Sequence, residues 1–130
     1  MIRARARTRF RANRLKKRAQ TGAFQSLQHA AAALRLTARR SIRRSIGPSR
    51  AGRPPHTRRG LLRQAILYHA DKARTRALIG PSVEFVGRSA RPHEHGGEYM
   101  GERYPARPFM GPALEKIRPR LPRFWAASVR

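Results

Sequence analysis

Between residues 24 and 46 the sizeable apolar and alanine side chains recur in steps of three and four: Phe24, Leu27, Ala31, Leu34, Ala38, Ile42 and Ile46. A stripe of that spacing fits one face of an α-helix and is incompatible with a strand, where faces alternate every second residue. Arg35, Arg39, Arg40, Arg43 and Arg44 lie mainly off the stripe. The pattern predicts a long amphipathic helix with Thr21 as a candidate N-cap, or with a start further back in the basic arm. Gly47-Pro48 is the expected stop, because glycine tolerates a left-handed cap and proline cannot continue the helix. The basic residues late in the segment suit the negative end of the helix dipole.

The period then changes. "GPSRAGRPPHTRRG" is expected to be a loop, extended at Pro54-Pro55. "LLRQAILYH", "RTRALIGP" and "VEFVGRS" are short and strand-like; Ile66 and Tyr68 share one face, Ala65 and Leu67 the other. Gly80-Pro81 and Gly87 punctuate them. Three or four antiparallel strands are expected, with residues 88 to 106 forming a turn, a further strand, or both. Pro112 can open a last helix, with Ala113, Leu114, Ile117 and Leu121 on its apolar face and Pro119 and Pro122 to kink or break it. Phe124 and Trp125 are expected anchors for the tail. The fold class is α+β: a long N-terminal helix packed on a small antiparallel sheet, plus a short C-terminal helix. Residues 1–20 form a basic arm and 21–130 a single domain.

Charge narrows the partner. The 130 residues carry 31 Lys+Arg against 6 Asp+Glu, a net charge of +25, and residues 1–70 contain no acid. Such a field favours a polyanion: DNA, RNA or an acidic protein surface. The excess is mostly arginine, whose fork of donors pairs with phosphate or carboxylate. Arg3, Arg5, Arg7, Arg9, Arg11, Arg14, Lys16, Lys17 and Arg18 form the arm's candidate contacts, and Arg35, Arg39, Arg40, Arg43 and Arg44 the helix's. Contact of this kind reads phosphates and not bases. With no cysteine, disulfides and thiolate metal sites are excluded. No run of about 18 apolar residues is present to cross a membrane. The first residues lack the apolar stretch of a signal peptide; they are Arg-rich and acid-poor like a mitochondrial presequence, but thin in apolar content.

Chemistry is harder to find. His93-Glu94-His95 is the one candidate metal pair, since an extended segment would turn both imidazoles the same way. A third ligand would come from His56, His69, Glu98 or Glu102. The spacing is not that of helical His-Glu-x-x-His zinc sites. No cysteine nucleophile, phosphate-cradling glycine loop or nucleophile elbow is present. The expectation is a protein without catalytic residues, cofactor or metal.

Three segments in order, "GRPPHTRRGLLRQAILY", "ALIGP" and "RPHEHGGEYMGERYPARPFMGPALEKI", resemble the neck and tail-completion proteins of tailed bacteriophages, which join the capsid portal to the tail tube. The resemblance spans roughly residues 22–127. Pro54, Pro55, Gly60, Leu62 and Ile66 match the first segment, with Arg59 where threonine is usual and Ala65 where serine is usual. Glu94-His95-Gly96 matches a Glu-Phe-Gly, with His95 replacing an aromatic. Pro105, Arg107, Pro108, Phe109, Pro112, Ala113 and Leu114 match the last segment. Gly96 and Gly97 permit a tight backbone before it, and Glu94 is expected to pair with an arginine within or between subunits. The resemblance implies a structural virion protein: a ring of copies, six or twelve, between portal or connector and the tail tube or its terminator, with DNA passing through. It implies a place in the virion neck or tail, reached from the host cytoplasm during assembly. Composition alone would favour a basic nucleic-acid-binding protein of ribosomal or nucleoid type, which gives no account of the ordered segments, and a metal-dependent nuclease is a third class.

Overall fold

The computed structural model describes residues 11–128. Helix α1 (Ala12–Ser41) runs through positions 20 and 21 without a break, so the basic arm and the domain share one helix. Thr21 is therefore not its cap: the Thr21 hydroxyl donates to the Lys17 carbonyl one turn back, at 3.0 Å. The alanine run Ala30 to Ala33 favours helix, and Ala30, Ala31 and Ala38 are buried against the rest of the chain.

The helix also ends earlier than Gly47-Pro48. Ile42 turns to extended backbone, φ −87° and ψ 118°, and is 1% exposed. Burial of that side chain is worth roughly 1.5–3 kcal/mol, and the turn to extended backbone keeps it in the core. Ile46 consequently leaves the stripe and stands 83% exposed. Strand β1 (Arg43–Arg44) pairs in parallel with β2 (His56–Thr57), Arg43 opposite His56. The intervening loop is thereby folded back on the end of α1.

After a short helix α2 (Leu61–Ala65) comes a hairpin of β3 (Ile66–Asp71) and β4 (Arg76–Pro81), in the register Ile66 to Pro81. It packs on α1. A second hairpin, β5 (Gly97–Tyr99) and β6 (Glu102–Tyr104), turns through Met100 and Gly101, both at positive φ. Mixed α+β architecture with small antiparallel pairings is thus present, but as separate two-stranded units plus the parallel β1–β2 pair. "VEFVGRS" is not a strand: Val83–Val86 is a helical turn, α3, followed by a 3₁₀ turn at Gly87–Ser89. Four alternating residues are too few to distinguish the two.

Helix α4 (Ala90–His95) replaces the strand or loop expected around His93-Glu94-His95. Helix α5 (Met110–Ile117) starts two residues before Pro112. A 3₁₀ turn at Arg118–Arg120 leads into α6 (Leu121–Trp125), which packs back on α1. Pro119 and Pro122 fall where helix type changes, since each removes an amide that a continuous helix would need. The core gathers Ala38, Ile42, Leu62, Ile66, Ala90, Phe109 and Ala113 from α1, α2, β3, α4 and α5. Among the described residues, no helix is long and apolar enough to cross a membrane.

Candidate functional site

Helix α5 begins without a side-chain cap of its own, and its first turn leaves amides to satisfy. Glu94, on α4, supplies the acceptor. Its Oε2 accepts from the backbone N–H of Phe109 at 2.9 Å and of Met110 at 3.0 Å. Its Oε1 accepts from Gly111 at 2.8 Å. The next residue is Pro112, which has no N–H to satisfy. The first intrahelical bond follows, from Ala113 to the Phe109 carbonyl. One carboxylate therefore satisfies every free donor of this turn, in favourable alignment with the helix dipole. Glu94 takes no part in an ion pair among the described residues, so its partners within the chain are backbone amides and not an arginine.

The surrounding backbone is tied to the same place. The Arg107 N–H donates to the His93 carbonyl at 2.6 Å, and Gly52 N–H to the Ala106 carbonyl at 2.8 Å. Arg107 Nε donates to the Ser49 carbonyl at 2.8 Å. Gly96 sits at φ 72°, and a Cβ there would lie 3.0 Å from the Ala106 nitrogen. Phe109 plugs the core at 1% exposure. The loop 47–55, helix α4 and the segment 105–111 thus meet at one node.

His93 and His95 do not share a direction. Two residues apart on a helix they diverge by about 200°, so the extended geometry required for a shared ion is absent. No group of three His, Cys, Asp or Glu side chains comes together among the described residues. The His93 ring is half-buried and its Nδ1 has no hydrogen-bond partner among the described residues. Burial, and secondarily the Arg107 guanidinium, push its pKa below the ordinary value of 6.5.

The basic residues separate into groups. Arg3, Arg5, Arg7 and Arg9 lie outside the described residues. Arg11, Arg14, Lys16, Lys17 and Arg18 are all exposed at the start of α1. Arg14, Lys17 and Arg18 share a face beside Ala127 and Ser128 of the C-terminal segment. Arg35 is different: it is half-buried and its Nε donates to the Ile66 carbonyl at 2.8 Å. That fixes β3 against α1, so Arg35 is an internal strut. Arg39 is half-buried, whereas Arg40, Arg43 and Arg44 are exposed, Arg43 and Arg44 on β1 rather than on the helix. The two basic regions lie at opposite ends of α1, roughly 37 Å apart between Arg14 and Arg39.

Of the residues matched to the first segment, Pro55, Gly60, Leu62 and Ile66 are buried within this chain, and Pro54 is half-buried. Gly60 adopts φ 81° as it opens α2. Arg107 and Pro108 are half-buried; Gly97, at φ 123°, and Pro112 are exposed. Two features had no clear signal in the sequence. A Cβ at Gly22 would collide with the backbone carbonyl of Ser128, so only glycine allows α1 and the tail this close. Ser49, in the loop, is 6% exposed and its hydroxyl has no partner among the described residues.

No protein-family model, no curated protein and no solved structure matches this chain.

Proposed function

We propose that the chain is a structural protein of a tailed-phage virion, forming a ring at the head–tail junction that connects the portal or connector to the tail tube or terminator and lets DNA pass. The observation that carries this reading is the node at Glu94. Two of the segments on which the resemblance rests, separated in sequence, meet there through the Gly52 N–H on the Ala106 carbonyl; Arg107 holds the adjoining Ser49 carbonyl, and Glu94 folds the last segment on itself through Phe109, Met110 and Gly111. Their joint appearance in sequence then has a structural reason.

The role is assembly, and no reaction is proposed. A ring of six or twelve copies would repeat one head-to-tail interface, closed by rotation. The exposed cations Arg14, Lys17 and Arg18 would face packaged DNA or an acidic neighbouring ring, through contacts indifferent to sequence. The working location is the virion neck or tail, after assembly in the host cytoplasm.

The test is quantitative mass spectrometry of nuclease-treated, gradient-purified particles. Several copies per portal ring, retained through a high-salt wash, are expected. A second reading, a basic ribosomal or nucleoid-type binder, is favoured by the same exposed cations. Absence from particles and recovery with ribosomes or nucleoid would replace the neck assignment with it.

A further inference from the structure

The loop that follows α1 encloses a pocket of about 450 Å³ whose lining includes Arg43, Arg50, Arg53, His56, Ser41 and Ser49, and no acid. Arg43 arrives on β1 opposite His56 on β2. Arg50 and Arg53 flank a turn closed by the Arg53 N–H on the Arg50 carbonyl at 3.2 Å. None of the three guanidiniums has an ion pair among the described residues. Three like charges around one cavity repel unless an anion joins them.

The hydroxyls are not equivalent. Ser41 already donates to the Ala38 carbonyl at 2.7 Å. Ser49 is 6% exposed and its Oγ has no partner among the described residues, although a buried hydroxyl ordinarily has one. Ser49 is one of the residues lining the pocket, and its hydroxyl is the one there not already committed. His56 holds its Nδ1–H on the Gly47 carbonyl at 3.0 Å. The frame is fixed in advance by Gly52 on Ala106 and Arg107 on Ser49, which lowers the ordering cost of binding.

We infer that this pocket is a binding site for a phosphate group. A carboxylate has only two oxygens, too few for three guanidinium forks and a hydroxyl. A phosphate has oxygens enough to accept from them all, and arginine forks match its geometry. The site does not depend on the neck assignment, because it is a property of the isolated chain and suits either functional reading. Two sources share the chemistry: inorganic phosphate, and the terminal phosphate of a larger molecule such as a nucleotide; an internal phosphodiester, with two free oxygens, falls short as a carboxylate does.

The test is calorimetric titration of inorganic phosphate into the full chain, with amide NMR shifts followed in parallel. Three variants are compared: Ser49→Ala; Arg43→Gln/Arg50→Gln/Arg53→Gln; and a charge-matched control, Arg91→Gln/Arg120→Gln/Arg123→Gln. Loss of the three arginines should weaken phosphate by at least about tenfold, and Ser49→Ala by about threefold, as expected for charge-assisted and neutral hydrogen bonds. The control should stay within about twofold, the scale of a screened distant charge. Ser49→Ala removes no existing hydrogen bond, so a folded variant is expected. Competition then separates the sources. Displacement by a nucleoside monophosphate, but not by the nucleoside, assigns a terminal phosphate; a nucleoside monophosphate that fails to displace assigns inorganic phosphate, and equally strong displacement by an oligothymidylate without terminal phosphates would overturn the oxygen count. Equal weakening in the control, or phosphate-induced shifts that spare residues 43–56, would overturn the site.

Discussion

The Phe109 backbone N–H donates to the Glu94 carboxylate at 2.9 Å, from fifteen residues along the chain. The contact turns a local need, an uncapped helix start, into a tertiary one. Helix α5 can form its first turn only where α4 has delivered Glu94, and Phe109 enters the core at that point. Replacing Glu94 with Gln keeps the volume but puts an NH2 group where an oxygen accepts from an amide. Such a loss at a partly buried, charge-assisted site is expected to cost about 1–3 kcal/mol. Thermal unfolding should show a Tm lower by roughly 5–15 °C for a chain of this size. An unchanged Tm would mean the carboxylate is dispensable.

The glycines around the node make a second, comparative prediction. Gly96 and Gly52 both have φ above 70°, so alanine at either is strained by about 1 kcal/mol or more. Their surroundings differ. A Cβ at Gly52 meets nothing within 4 Å, whereas at Gly96 it lies 3.0 Å from the Ala106 nitrogen and 3.3 Å from the Tyr104 carbonyl. Gly96→Ala should therefore be the more destabilising, by about 1 kcal/mol beyond Gly52→Ala given the added crowding. Chemical denaturation of the two variants checks the order; equal costs would refute it.

The long helix was legible because its period persists over many residues, from Phe24 to Ile42. Its end was not, because Ile42 satisfies the helical stripe and is equally buried after turning to extended backbone. Strand β3 was readable from Ile66 onward, while Val83–Val86 carried too short a pattern to reveal a helical turn. Glu94 was recognisable as an unusual acid among arginines, but its partners are backbone amides, which have no letter in the sequence. Arg35 and Arg43 looked alike for the same reason: only the fold distinguishes a guanidinium holding the Ile66 carbonyl from one lining a pocket.

His93 gives a pH-dependent prediction. Its pKa in the folded chain is held below 6.5 by burial and by Arg107. The unfolded chain therefore takes up a proton at this site before the folded chain does, and protonation favours unfolding. The stability linked to neutral His93 is fully present above about pH 6.5 and is lost as pH falls through the lower, folded value. His93→Gln removes that titration. Melting curves at about pH 7.5 and 5 should show a larger loss on acidification for the parent than for the variant. Equal losses would assign the acid sensitivity to other groups.

The contrast between Arg14, Lys17 and Arg18 on one side and Arg35 on the other separates surface charge from internal support. All four add positive charge, but only the first three are exposed and share a face. Neutralising those three to Gln removes up to three phosphate contacts. The slope of log K for duplex DNA against log salt should become shallower by up to about 2.7, at about 0.9 per phosphate. Their exposure predicts a stability change within about 0.5 kcal/mol. Arg35→Gln should do the reverse. It strands the Ile66 carbonyl in a partly buried site, costing about 1–3 kcal/mol, while the salt slope stays unchanged because the guanidinium is committed to β3. Binding isotherms across a salt series, read beside denaturation curves of the same variants, decide the matter. A shallower slope for Arg35→Gln would place that side chain on the polyanion surface after all, and an unchanged slope for the triple variant would remove the start of α1 from it.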